Sequence, residues 1–201
     1  MKKQKIILAI CIITTCIVNA QCTIIKNLDS FDFGESNVYY KDINFILNPF
    51  EGNYIYSNGS ITFEIRLLKK EASTQPNVTF CEDMLIGAFK FTEGNNIVDI
   101  LNSLDVYDAD GTNYNIYAKS IYTGKTRGCD ECGVNEKWLI GIIDDPVSGS
   151  SDELFIRKVI ENGQEAIKIF IFHSLTFRRA GDPIPPPITY PVNQWFTLLK
   201  Q

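Results

Sequence analysis

Phe50-Glu51-Gly52-Asn53-Tyr54, running straight into Ile55-Tyr56-Ser57-Asn58-Gly59-Ser60-Ile61-Thr62-Phe63, reads as a strand, a tight turn and a second strand. Asn58-Gly59 is a dipeptide favoured in the type I′ hairpin turn, because both central residues need positive φ, which Asn and Gly tolerate. Beyond it every second residue is apolar, Ile61, Phe63, Ile65 and Leu67, which is the period of a strand with one buried face.

The same grammar continues toward the C-terminus. Residues 83–92 place Leu85, Gly87, Phe89 and Phe91 on one face, and Glu93-Gly94-Asn95 turns the chain into 96–101. Further strands fit 114–122, 137–143, a hairpin of 153–160 and 166–172 about Asn162-Gly163, and 194–200. No helical pattern is long enough to connect parallel strands, so the fold class is all-β and mainly antiparallel. Closure into a barrel of about eight to nine strands removes exposed edges, with a β-sandwich as the alternative. Residues 137–143 are apolar on both faces and read as a central strand. The segment 183–191, with five prolines, cannot enter a sheet because proline donates no ladder hydrogen bond, and reads as an extended tether.

Toward the N-terminus, residues 21–48 form a lead-in without a clear period, containing a short strand at 23–25 and one or two helical turns over 41–48 that Pro49 ends. Lys2, Lys3 and Lys5 precede an apolar run over 6–18 and the small-residue site Val18-Asn19-Ala20, the form of a cleaved signal peptide over 1–20. That run falls short of the roughly 20 apolar residues that cross a bilayer, so no stable membrane span is expected and the product is secreted or periplasmic. The barrel domain then occupies 49–201. Without the leader's lysines, 16 basic side chains face 24 acidic ones. That balance argues against nucleic acid as a partner, because such binding rests on clustered Lys and Arg.

Of the six cysteines, Cys22, Cys81, Cys129 and Cys132 survive leader removal, and pairing is expected in an oxidising compartment. Three connectivities are open. Cys129-Asp130-Glu131-Cys132 reads as a local structural bridge, since acidic neighbours raise a thiol's pKa and disfavour a redox-active pair. Cys22 and Cys81 then remain for each other.

Phe50-x-Gly52-x-Tyr54, Asn58-Gly59, the 83–91 stretch, Cys129-x-x-Cys132 ahead of Asn135-Glu136-Lys137, and the proline run into Leu198-Leu199-Lys200-Gln201 together resemble a family of small secreted bacterial proteins classed as a domain of unknown function. The start is also similar to the Gly-x-Trp opening of lipocalin-like barrels, with Tyr54 in the place of tryptophan. That likeness implies a barrel with a large aromatic closing one end. It implies no substrate, cofactor or catalytic residue.

Chemistry-bearing motifs are sparse. Asp108-Ala109-Asp110-Gly111-Thr112 contains part of a calcium loop but lacks its remaining oxygen ligands, and Asp and Gly also serve tight turns. His173, the single histidine, ends a strand and has no Gly-x-Ser-x-Gly elbow to accompany it. No phosphate-cradling glycine loop is present. These readings lead to a noncatalytic protein without cofactor or metal. It either holds a small apolar ligand in a cavity lined by Phe63, Phe89, Phe91, Trp138 and Phe170, or acts as an envelope interaction protein. The alternative is a hydrolase using a carboxylate pair from among Glu64, Glu82, Asp83, Asp144 and Asp145.

Overall fold

The computed structural model describes residues 22–30, 34–74, 77–105, 114–125, 129, 131–173 and 186–201. The signal peptide expected at 1–20 and the Asp108–Thr112 loop lie outside these residues. Among the described residues the strands are β1 (Ile24–Asn27), β2 (Val38–Lys41), β3 (Gly52–Asn58), β4 (Ile61–Ser73), β5 (Cys81–Glu93), β6 (Asn96–Asp99), β7 (Ile116–Thr123), β8 (Lys137–Asp144), β9 (Ser151–Glu161), β10 (Gln164–Phe172) and β11 (Trp195–Lys200).

The order β5-β4-β3-β11-β10-β9-β8-β7 is antiparallel throughout, and β7 pairs back onto β5, so eight strands close into a barrel. Closure rules out the sandwich. The long β5 makes this possible by sharing its second edge among three partners: β2 at Cys81 and Glu82, β7 at Leu85 to Gly87, and β6 at Lys90 to Glu93. A closed wall has no central strand, so the expectation for β8 fails in that form. Its two apolar faces have another cause: Leu139 and Ile143 fill the lumen while Trp138 is covered from outside.

The opening hairpin departs from the type I′ expectation. Asn58 pairs with Ile61, so the loop is Gly59-Ser60, and only Gly59 has positive φ, at 60°. Glycine first in a two-residue loop is the II′ signature. Gly94-Asn95 repeats it, whereas Asn162 (50°) and Gly163 (84°) both have positive φ, as a type I′ turn requires.

The expected helix over 41–48 is absent. Asp42 instead folds the segment into a turn, its Oδ1 accepting the Ile46 N–H at 2.7 Å and its Oδ2 the Leu47 N–H at 2.9 Å. A 3-10 turn follows at Asn48–Phe50 with Pro49 inside it, where a missing N–H costs nothing. β2 had no sequence signal, and it and β1 form the parallel part of the sheet.

Inward-facing side chains fill the barrel. Phe63, Phe89, Ile116, Leu139, Ile167 and Leu198 are all fully buried. Phe63 is the hub, meeting Phe89, Phe91 and Phe196 edge-on at centroid distances of 6.0, 5.6 and 6.0 Å. The wall is tight at Gly141, where a Cβ would lie 2.3 Å from the Tyr117 carbonyl oxygen, beside the register shift between Ala118 and Ser120.

Both ends are closed. At one, the lead-in packs Val38, Tyr40, Leu47 and Phe50 into the core, and Tyr54 donates its hydroxyl to the Phe50 carbonyl at 3.1 Å. Burial, followed by the nearby Glu165 and Glu51 charges, pushes the Tyr54 phenol up to about 12. At the other end, Tyr190 enters the core edge-on to Phe89 at 5.4 Å. The part of the proline-rich tether that lies within the described residues is thus a plug as well as a connection.

Candidate functional site

The five side chains expected to line a ligand cavity do not meet. Phe63, Phe89 and Phe91 face the lumen and pack on one another, leaving it filled. Trp138 and Phe170 point to the outer wall, because they alternate with the inward Leu139 and with Ile169 and Ile171. There they belong to a row of rings across five adjacent strands, Tyr122, Trp138, Phe155, Phe170 and Trp195, with successive centroids 5.3, 5.6, 6.2 and 5.3 Å apart. The middle of this row is buried beneath the Cys129–Cys132 loop. Arg157 clamps that loop's flank, donating from Nε and Nη2 to Glu136 at 2.8 and 3.1 Å, and this pair holds the Glu136 carboxyl below its ordinary range.

Two recesses among the described residues lie outside the lumen. A recess of about 560 Å³ on the outer wall of β7, β8 and β9 includes Tyr117, Ile140 and Ile142. It shares Ser151, Asp152 and Glu153 with a second recess of about 760 Å³ at the Tyr190 end, bounded by Phe172, His173, Pro186, Pro187 and Ile188.

The chemistry in this second recess centres on Asp152 and His173. The β9–β10 hairpin sets Glu153 opposite Phe172, so the next step outward brings Asp152 to His173. His173 Nδ1 lies 2.6 Å from Asp152 Oδ1, which also accepts the Ser150 hydroxyl at 3.2 Å. The other oxygen accepts the Tyr190 hydroxyl at 3.0 Å, and the same hydroxyl reaches the Ile143 carbonyl at 3.1 Å. Nδ1 donating to a buried carboxylate selects the tautomer that leaves Nε2 able to accept a proton. Asp145 secures the rim, its Oδ1 accepting the Val147 N–H at 2.9 Å and its Oδ2 the Thr189 N–H at 2.7 Å. Burial raises the Asp145 carboxyl, but these bonds outweigh it and the net shift is downward. Burial and the Asp152 charge together drive the Tyr190 phenol far up.

Tyr190→Phe removes a donor from buried Asp152. It should lower stability by about 1–3 kcal/mol, seen as a reduced denaturation midpoint with unchanged slope.

Of the carboxylates named for a hydrolase, Asp145 stands on this rim and the others answer to separate partners. Asp83 accepts from Tyr39, Ala72 and Asp42, and Asp144 accepts the Ser151 hydroxyl. Glu82 pairs with Lys119 at 2.7 Å, its carboxyl raised by burial against the opposing pull of that lysine. Glu64 faces Lys90 across the β4–β5 ladder, on the outer wall. Both disulfides form as read, Cys22–Cys81 and Cys129–Cys132, and they are consistent with an extracellular or periplasmic protein. Cys129 and Cys132 are 2 % and 1 % exposed, which closes the bridge to an attacking thiol. Among the described residues there is no cluster of three or more metal-ligating side chains, and no helix is long and apolar enough to cross a membrane.

The family model described as a family of unknown function (DUF6705) matches residues 1–170, and the chain belongs to that family. No curated protein and no solved structure matches it.

Proposed function

We propose that this member of a family of unknown function is a noncatalytic, exported β-barrel that binds its partner from outside, at the recess over Asp152 and His173. The observation that carries this reading is the filled lumen: the Phe63, Phe89, Phe91 and Phe196 rings occupy the space an apolar ligand would need. The recess offers an apolar floor of Phe172, Pro186, Pro187 and Ile188, with the imidazole and serine hydroxyls at its rim. It suits a ligand that combines an apolar face with hydrogen-bond donors. In this reading the protein is an interaction module of the cell envelope or its surroundings.

Titration with an apolar fluorescent probe such as anilinonaphthalene sulfonate tests it. Any saturable uptake by the wild type should be unaffected by Phe63→Trp, whereas Phe63→Ala should acquire an additional one-to-one site. Stoichiometric uptake by the wild type that Phe63→Trp blocks would return the ligand to the lumen and overturn the proposal.

A hydrolase is the second reading, favoured by the Asp152–His173 pair, in which Nε2 would act as a general base toward water. His173→Ala would then abolish turnover of a panel of ester and glycoside substrates. The absence of any wild-type turnover on that panel would count against it.

A further inference from the structure

At the barrel end closed by the lead-in, three ionisable side chains meet away from water. Lys69 continues the inward parity of Phe63, Ile65 and Leu67 along β4, and its side chain is 9 % exposed, while those of Asp42 and Asp83 are fully buried. Lys69 Nζ lies 3.3 Å from Asp42 Oδ2 and 3.9 Å from Asp83 Oδ2. It also donates to Asn48 Oδ1 at 3.2 Å and lies 5.7 Å from the centroid of the Phe45 ring. Asp83 is already satisfied by the Tyr39 hydroxyl at 2.5 Å and by the N–H groups of Ala72 and Asp42 at 3.0 and 2.9 Å. One lysine therefore faces two buried carboxylates, and only Asp42 is in close contact with it.

We propose that Lys69 and Asp42 are joined by an isopeptide bond that the folded chain forms itself. Lys69 Nζ touches Asp42 Oδ2 at 3.3 Å, which sets the amine beside the carboxyl carbon, and holding two reactants together in this way gives intramolecular reactions a high effective concentration. One proton passes from the Lys69 ammonium to the Asp42 carboxylate across this contact. The neutral amine's lone pair then forms a C–N bond to Asp42 Cγ. The Ile46 N–H, already aimed at Asp42 Oδ1 at 2.7 Å, steadies the negative oxygen of the tetrahedral species, while the Leu47 N–H at 2.9 Å holds Oδ2, the oxygen that departs.

Asp83 takes the proton that the nitrogen sheds and passes it to the departing hydroxyl; the C–O bond breaks and water leaves. An ammonium and a carboxylate become one amide and one water, with no oxidant, reductant or co-reactant. The product removes two buried charges and ties the lead-in covalently to β4, beside its disulfide tie to β5 at Cys81.

Peptide mapping of the folded wild-type protein decides the matter. After reduction, alkylation and trypsin digestion, residues 42–66 should travel with 67–70 as one branched species, lighter by one water than the two peptides together. Lys69→Arg keeps the positive charge but supplies no amine, and it should restore the full mass. Asp83→Asn should slow or prevent the link. Separate peptides 42–66 and 67–69 from the folded wild type, with an intact mass lowered only by the disulfide hydrogens, would overturn the proposal and leave an ion pair. Because this readout is a covalent mass on the wild type, it does not depend on the variants folding.

Discussion

Phe63→Ala should destabilise the protein by about 3–5 kcal/mol, the range for removing a fully buried phenylalanine and leaving a cavity. The loss should sit near the upper end because Phe63 touches three other rings from two strands, Phe89 and Phe91 on β5 and Phe196 on β11, so no single neighbour can move in to fill the space. Phe170→Ala provides the contrast. Phe170 is only partly buried, on the outer wall between Phe155 and Trp195, and water can replace it. Its cost should be clearly smaller, and denaturant midpoints of the two variants measure the difference. Equal costs would mean that the lumen is not the principal core.

That contrast also shows where sequence reading reached its limit. Alternation identified the hairpins and most of the strands, because Ile61, Phe63, Ile65 and Leu67 can bury one face only at a period of two. The expectation that put Phe170 in the cavity overlooked the same rule: Ile167, Ile169 and Ile171 share the inward parity, so Phe170 must point the other way. Trp138 was not legible, since β8 is apolar at consecutive positions and its parity is hidden. β2 was missed because Val38-Tyr39-Tyr40-Lys41 is too short to show a period, and its place is fixed by β5.

The Asp152–His173 pair could have been read from hairpin arithmetic. A turn centred on Asn162-Gly163 pairs Gln164 with Glu161 and Phe172 with Glu153, and the next pair outward is His173 with Asp152. Tyr190 joins them from beyond a long connection, and no local rule reports such a contact. The Lys69, Asp42 and Asp83 cluster likewise joins three distant segments. Only the odd placement of a lysine on the inward parity of β4 announced it.

Removing the two disulfides should have unequal effects. In the chain-entropy account, a bridge stabilises by restricting the unfolded chain, and the gain grows with the loop it closes. Cys22–Cys81 spans 59 residues and Cys129–Cys132 spans 3. The corresponding values are about 4 and about 2 kcal/mol. Cys22→Ala with Cys81→Ala should therefore lower the unfolding free energy about twice as much as Cys129→Ala with Cys132→Ala, measured by chemical denaturation of the paired variants. The structural consequences should differ as well. Without Cys22–Cys81, β1 is held chiefly by its four-residue pairing with β2, and the end of the barrel covered by Tyr40, Leu47 and Phe50 is less firmly sealed. Without Cys129–Cys132, the loop over Trp138 keeps the Arg157–Glu136 pair and the indole N–H bond to the Gly124 carbonyl at 3.1 Å. Tryptophan fluorescence of the second variant should then stay near that of the wild type. A larger loss from the short bridge than from the long one would show that the loop's packing on the outer aromatic row, and not chain entropy, dominates its contribution.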